Sequence, residues 1–181
     1  MRVISGHLKS RVLEVSKSSR TIRPTTDRAR ETLFNIITNS FDLEDCRILD
    51  LFAGSGSFGI ECISRGSGFC CFVDKNTESV LKNISSLGLQ NKTNVVKSDA
   101  VYFLKHNYEE QYDITFADPP YNYTSYDKLL DNISELDTYF ILEHSKKFIN
   151  IDEYKEYLVK RKDIGVTSFS FYNFLKNENK Q

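Results

Sequence analysis

Tryptophan is absent from the 181-residue chain, and proline (three), methionine (one) and histidine (three) are scarce. So few prolines exclude a polyproline linker. The dispersed His7, His106 and His144 offer no metal-ligand spacing, and no metal site is expected. The four cysteines, Cys46, Cys62, Cys70 and Cys71, lack zinc-like spacing, and the adjacent pair points to opposite faces of a strand. They read as reduced, mostly buried small hydrophobes; none follows a proline or sits on an obvious catalytic loop, which sets aside a thiolate nucleophile. No run approaches the roughly eighteen apolar residues of a membrane span. Met1 to His7 lacks the apolar core and cleavage site of a signal peptide, so a cytoplasmic protein with no membrane partner is expected.

What is present is the material of one globular domain. At 40% apolar and 13% aromatic residues the chain can fill a core, so disordered and fibrous readings fall away. Repeats, low-complexity tracts and Gly/Ser linkers are missing. A boundary near residue 44 therefore separates an N-terminal extension (1–44) from a catalytic body (45–176), with a polar tail at 177–181. The net charge is only −1, yet residues 1–30 carry eight basic side chains against Glu14 and Asp27. A basic arm on an acidic body suits a phosphate-facing surface, and a solvated face without a partner is the bland alternative. The arginines expected to meet nucleic acid are Arg2, Arg11, Arg20, Arg23, Arg28 and Arg30.

Arg2 to Ser5 and Arg11 to Val15 flank Gly6 and read as a short hairpin. Pro24-Thr25-Thr26 then introduces a helix whose Ala29, Leu33 and Ile37 recur every four residues, with Phe34 and Phe41 beside them. From Arg47 onward short apolar runs alternate with helical patterns. Strands are expected at Ile48–Phe52, Phe69–Val73, Asn94–Val96, Ile114–Ala117 and Tyr139–Leu142, with a helix marked by Val80, Leu81, Ile84 and Leu87. That alternation predicts a parallel sheet covered on both faces. Tyr157–Arg161 and Val166–Phe174, separated by a turn at Lys162–Gly165, predict at least one antiparallel strand closing the sheet.

Gly54-x-Gly56-x-x-Gly59 directly follows a strand and opens a helix, so the glycines allow a tight turn and close approach of backbone to a ligand. The same spacing, with Asp74 at the distance that holds a ribose, occurs in dinucleotide-binding folds. Asp50 separates the readings: ahead of the first glycine it repels a pyrophosphate and attracts an ammonium group. S-adenosylmethionine carries an ammonium, a ribose diol and an adenine without any phosphate. Asp50 suits its amino-acid end, Asp74 its ribose, and Asp99 in Ser98-Asp99-Ala100 its adenine. Three carboxylates after three successive strands line the carboxyl edge of the sheet, where open α/β folds bind ligands. For each aspartate alone, a helix cap is the plainer reading. The donor-binding set is Asp50, Phe52, Gly54, Ser55, Gly56, Gly59, Asp74, Asp99 and Ala100.

Asp118-Pro119-Pro120-Tyr121 follows the fourth expected strand. Exocyclic amino groups of nucleobases are poor nucleophiles because the lone pair is delocalised into the ring. Asp118 and the Pro119 carbonyl can each accept one N–H bond, drawing the nitrogen toward a pyramidal form, while the two prolines stiffen the loop. A carboxylate with an ordinary pKa of about 3.9 suffices as base, since the methylated amino cation is strongly acidic. Tyr121 offers a flat face for an unstacked base. The catalytic set is Asp118, Pro119 and Tyr121.

With these motifs the chain resembles the RsmD-type small-subunit rRNA (guanine-N2) methyltransferases. The likeness is carried by Arg23 through Asn35, by Leu51 through Glu61, by Ser64-Arg65-Gly66, by Asp118-Pro119-Pro120-Tyr121, and by Glu143-His144. The resemblance implies a class I methyltransferase fold: a Rossmann-like, mostly parallel seven-stranded sheet with an antiparallel C-terminal strand. It implies S-adenosylmethionine as donor and a guanine of bacterial 16S rRNA, free or in an assembling small ribosomal subunit, as acceptor. Two departures are visible: Lys9 through Val15 lacks the usual glycine between its basic residues, and Arg161–Phe174 matches loosely. The Asp-Pro-Pro-Tyr motif also serves adenine and cytosine amino methyltransferases, so adenine N6 in DNA or RNA is the alternative acceptor. A nicotinamide-dependent oxidoreductase leaves Asp118–Tyr121 unexplained, and a non-catalytic RNA-binding module leaves the full set of chemical groups without a use. A monomer is expected.

Overall fold

The central apolar runs, those of β1 (Arg47–Leu51), β2 (Phe69–Asp74), β4 (Ile114–Ala117) and β5 (Tyr139–Ser145), become strands because almost every residue in them is covered from both sides. The structure is a computed structural model, and it describes residues 1–15, 27–107, 110–146 and 152–176. Helix α1 (Asp27–Ser40) precedes β1 (Arg47–Leu51), α2 (Ser57–Ser64), β2 (Phe69–Asp74), α3 (Glu78–Leu87), β3 (Thr93–Lys97) and α4 (Ala100–His106). Then come β4 (Ile114–Ala117), α5 (Tyr126–Ser134), β5 (Tyr139–Ser145), β6 (Leu158–Ile164) and β7 (Thr167–Asn173). The seven strands form one sheet in the order β3-β2-β1-β4-β5-β7-β6. Strands β1 to β5 pair in parallel, and β7 runs antiparallel to both β5 and β6. This is the Rossmann-like architecture of class I methyltransferases.

Side-chain alternation splits the core across the sheet. Ile48, Cys70, Phe72, Ile114, Phe116, Ile141, Phe169 and Phe171 pack with α1, α2 and α3 on one face. Leu49, Leu51, Cys71, Val73, Ala117, Phe140 and Leu142 pack with α4 and α5 on the other. Cys70 and Cys71 therefore face opposite layers, as their adjacency requires. Burying a side chain the size of Phe72 or Phe140 contributes about 1.5–3 kcal/mol, and both are 0% exposed.

The antiparallel end differs in register from the sequence expectation. Strand β6 continues through Ile164, because only Gly165, at φ 62°, and Val166 form the turn. Edge strand β6 exposes Lys160, Arg161 and Lys162, charges that discourage another strand from pairing there. None of the helices among the described residues is long and apolar enough to cross a membrane.

Residues 1–15 are closed by one antiparallel bridge, Arg2 with Val12, so the expected short hairpin is reduced to a single bridged pair. Glu61, fully buried on α2, anchors it by accepting the Ile4 and Ser5 N–H groups at 2.7 and 2.9 Å. Gly6 lies so close to the end of α2 that a Cβ there would stand 1.7 Å from the Ser64 carbonyl oxygen. Its φ of 79° also calls for glycine. On α3, buried Asn83 accepts the Glu14 N–H at 2.8 Å and donates to the carbonyls of Glu14 and Ser55, each at 2.9 Å. The arm is thereby tied to the glycine turn. Pro24-Thr25-Thr26, Arg20, Arg23 and the 177–181 tail lie outside the described residues.

Candidate active site

Sheet order reverses between β1 and β4, each followed by a crossover on a different side, and this is where open α/β sheets leave a crevice. A cavity of about 400 Å³ opens there, within the range of small-molecule sites. Its walls come from the β1–α2 turn, the end of β2, the loop before α4, the Asp118–Tyr123 segment, the end of β5, helix α1, and Met1 and Val15 of the arm.

The glycine turn is shaped by three different demands. Phe52 takes φ 58°, a left-handed conformation uncommon for an aromatic residue, and its ring meets Tyr123 edge-on at 5.3 Å. Gly54, at φ 55°, borders the cavity, and a Cβ there would meet only the Phe52 carbonyl oxygen, at 3.9 Å. Gly56 and Gly59 face inward instead: added Cβ atoms would stand 2.7 Å from Val80 and 2.3 Å from the Cys70 sulfur. Those two glycines set how closely α2 packs on the sheet and on α3. Of the three glycines only Gly54 borders the cavity, beside Phe52, Ala53 and Ser55.

The three aspartates of the expected ladder also divide. Asp74 lines the cavity; its two oxygens accept N–H bonds from Gly54 and Asn76, both at 2.8 Å. Each oxygen keeps a lone pair, so a ribose diol can still bind. Asp50 is 1% exposed and absent from the cavity wall; it lies under the turn, where one oxygen accepts the Gly59 N–H at 3.0 Å. Burial pushes its pKa well above the ordinary value. From there Asp50 supports the turn from below. Asp99 caps α4 by accepting the Tyr102 N–H at 3.1 Å and pairs with Lys75 at 2.9 Å. The Lys75 bond leads the effects that lower its pKa. Its neighbours Ser98 and Ala100 line the cavity and Asp99 does not, so the capping role is the one seen.

On the opposite wall stand Asp118, Pro119, Pro120 and Tyr121. Asp118 is open to the cavity, yet protein surrounds its carboxylate in the remaining directions. That desolvation, then the charges of Glu143 and Asp50, push its pKa well above the carboxylate range. Glu143 is buried at the end of β5 and reaches the same space. The parallel register Ala117↔Leu142 sets Asp118 beside it. Phe116 and Phe58 stack at 4.0 Å, and Phe34 continues the stack at 5.4 Å, giving a flat apolar wall. Tyr121 is half exposed at the mouth.

Among the expected nucleic-acid arginines, Arg2, Arg11 and Arg28 are exposed; Arg2 sits 3.7 Å from Asp27, and Arg11 donates to the Ser86 carbonyl at 3.1 Å. Arg30 departs from the expectation of a surface contact. It is 4% exposed, donates to the Arg2 carbonyl at 2.9 Å and faces Glu61 at 3.6 Å. It turns inward because it adjoins Ala29 on the buried stripe of α1, where Glu61 supplies a countercharge. Burial lowers its pKa, with Glu61 and Asp27 opposing that effect. Sequence reasoning missed Arg30 and Glu143 as cavity residues. The signal for Glu143 was an acidic side chain ending the buried run Tyr139–Leu142 at the carboxyl edge of the sheet. Among the described residues, no group of three or more His, Cys, Asp or Glu side chains is placed to hold a metal.

Residues 1–173 match the protein family described as conserved hypothetical protein 95. The chain belongs to this family, the RsmD-type methyltransferases. The ribosomal RNA small subunit methyltransferase D of Haemophilus influenzae is 31% identical over 95% of this chain and 93% of its own length. The Escherichia coli protein of that name is 37% identical, over 67% of this chain and 60% of its own length. Among solved structures, a hypothetical protein of Thermus thermophilus superposes with a TM-score of 0.80 at 25% identity, covering 96% of this chain and 99% of its own.

Proposed function

We propose that this protein transfers a methyl group from S-adenosylmethionine to the exocyclic N2 of a guanine in small-subunit rRNA, at the position numbered 966 in that RNA. The observation that carries the reading is the placement of Asp118, Pro119 and Tyr121 across one cavity from Asp74 and Gly54. Small-subunit rRNA as the acceptor is supported by the names of the relatives.

The residues present fit the donor. Gly54 leaves room beside the turn, Asp74 retains acceptor capacity for a ribose diol, and Phe52, Ser55, Ser98 and Ala100 complete that wall. When bound, S-adenosylmethionine supplies an electrophilic methyl group on a sulfonium. The chain's own contribution lies on the acceptor side. Asp118 accepts one N–H of the amino group and the Pro119 carbonyl accepts the other, turning the nitrogen lone pair out of conjugation toward the donor wall. Asp118 takes the proton released on transfer. Tyr121 and the Phe58–Phe116 stack offer flat apolar surfaces to a base withdrawn from its helix, a contact worth about 1–3 kcal/mol. Most of the rate comes from holding the nitrogen in line rather than from strong acid–base chemistry.

Residues 1–44 act in this reading as an RNA-facing extension of the 45–176 methyltransferase domain. Arg2, Arg11 and Arg28 meet phosphates, and a cytoplasmic monomer works on rRNA or an assembling subunit. Asp118→Ala is expected to abolish transfer while the Kd for S-adenosylmethionine, by calorimetric titration, stays within a few-fold of the parent. Full turnover in that variant would sink the mechanism.

A further inference from the structure

One amide on α3 joins two segments that the function above assigns to different substrates. Val80 and Asn83 lie a turn apart on the buried face of that helix, which packs on the glycine turn. Asn83 is 2% exposed. Its Oδ1 accepts the Glu14 N–H at 2.8 Å, and its Nδ2 donates to the carbonyls of Glu14 and Ser55, each at 2.9 Å. Toward Glu14 the side chain behaves as a neighbouring strand would, taking both the N–H and the C=O of one residue. A primary amide supplies the acceptor and the two donors that this needs, which an aspartate or leucine of similar size does not.

Both ends of this bridge reach the cavity. Ser55 lines it with Gly54 on the donor wall, and Val15, next to Glu14, lines it from the arm. Two further contacts hold the arm to α3: Lys82 pairs with Glu14 at 3.1 Å, and Arg11 donates to the Ser86 carbonyl at 3.1 Å. Both are exposed to solvent, whereas Asn83 is buried and touches both segments. We propose that Asn83 is a positioning residue for both substrates, holding the donor turn and the RNA-facing arm in one geometry so that donor and RNA tighten each other's binding. This rests on the donor and rRNA reading above and adds the residue that couples the two sites. A ligand that steadies Ser55 also steadies Glu14 through the shared amide, so the second ligand has less ordering left to do. By linkage the effect is equal in both directions. An amide that served stability alone would leave this coupling untouched when replaced.

The test uses the full chain, small ribosomal subunits lacking their methyl groups, and S-adenosylhomocysteine as a donor analogue that cannot react. Its Kd is measured with and without saturating subunits, and thermal midpoints are recorded throughout. Asn83→Leu keeps the size and removes all three bonds; Glu14→Pro removes one N–H of the arm and leaves the Ser55 bond. Ile133→Val, on α5 across the sheet, controls for lost stability alone. We expect subunits to tighten the Kd at least about fivefold in the parent and in Ile133→Val. In Asn83→Leu the Kd without subunits should rise at least about threefold and the ratio should fall toward one. In Glu14→Pro the Kd without subunits should hold within about twofold while the ratio is lost. A parent ratio of one, a full ratio in Asn83→Leu, or an equal loss of ratio in Ile133→Val would overturn the coupling. Should Asn83→Leu fail to fold, Glu14→Pro decides: a full ratio there overturns the coupling and a lost ratio supports it. N2-methylguanosine made by a parent whose ratio is one would remove the coupling and leave the guanine reading standing. No transfer from S-adenosylmethionine to the subunits by the parent would overturn both together.

Discussion

Replacing Glu61 with alanine is expected to release the N-terminal arm from the body. The Glu61 side chain is 0% exposed and faces Arg30, itself 5% exposed. It accepts N–H bonds from Ile4 and Ser5, and Arg65 donates to it at 2.8 Å. Alanine leaves two backbone donors unsatisfied and removes the nearest countercharge of a buried guanidinium. Breaking a buried ion pair from one side costs about 3–5 kcal/mol. Domains of this size lose about 2–4 °C in Tm per kcal/mol, so a fall of about 6–20 °C is expected. Urea unfolding gives the free energy directly. The cost of Ile4→Pro, which deletes one donor, should shrink in the Glu61→Ala background, because its acceptor is already gone. A Glu61→Ala loss below about 1 kcal/mol, or strict additivity with Ile4→Pro, would refute the view that this carboxylate holds the arm.

Gly59→Ala should destabilise, because helix propensity favours alanine by about 1 kcal/mol while overpacking costs about 1–3 kcal/mol and the Cβ would stand 2.3 Å from the Cys70 sulfur; a more stable variant in urea would contradict the packing role. The pH profile of kcat/KM should show an acid limb above the ordinary carboxylate range, since the proposed mechanism needs Asp118 as an anion and its pKa is raised. Activity is therefore lost as pH falls through that raised value. In Glu143→Gln the limb should move to lower pH, because a like charge that raised it is gone; a limb that stays in place would show that Glu143 does not act on Asp118.

The parallel sheet was legible because β1, β2, β4 and β5 are short, doubly buried apolar runs punctuated by helical spacing. The place of β7, between β5 and β6, was not, because a strand's neighbours depend on contacts distant in sequence. The β1–α2 turn shows the same division. Its glycines mark the turn, yet spacing alone gives Gly54, Gly56 and Gly59 one meaning, whereas neighbours on α3 and β2 assign the latter two to packing. Asp50 was read as a ligand residue because strand periodicity does not say whether a terminal side chain points into the crevice or under the loop. Asp99, followed at once by Ala100 and a helix, carried the signature of a cap, and the cap is what forms. Arg30 looked like one more charge in a basic arm; its burial depends on Glu61, far along the chain, which no local pattern reveals.

The proposed function assigns to the wall formed by Asp118, Pro119 and Tyr121 the methylation of an exocyclic amino group of guanine in small-subunit rRNA. The most direct test is transfer of tritium from labelled S-adenosylmethionine to small subunits lacking their methyl groups, followed by digestion to nucleosides. Label in N2-methylguanosine, lost in Asp118→Ala, is the predicted result. Label in N6-methyladenosine, or N2-methylguanosine formed undiminished by Asp118→Ala, would contradict it.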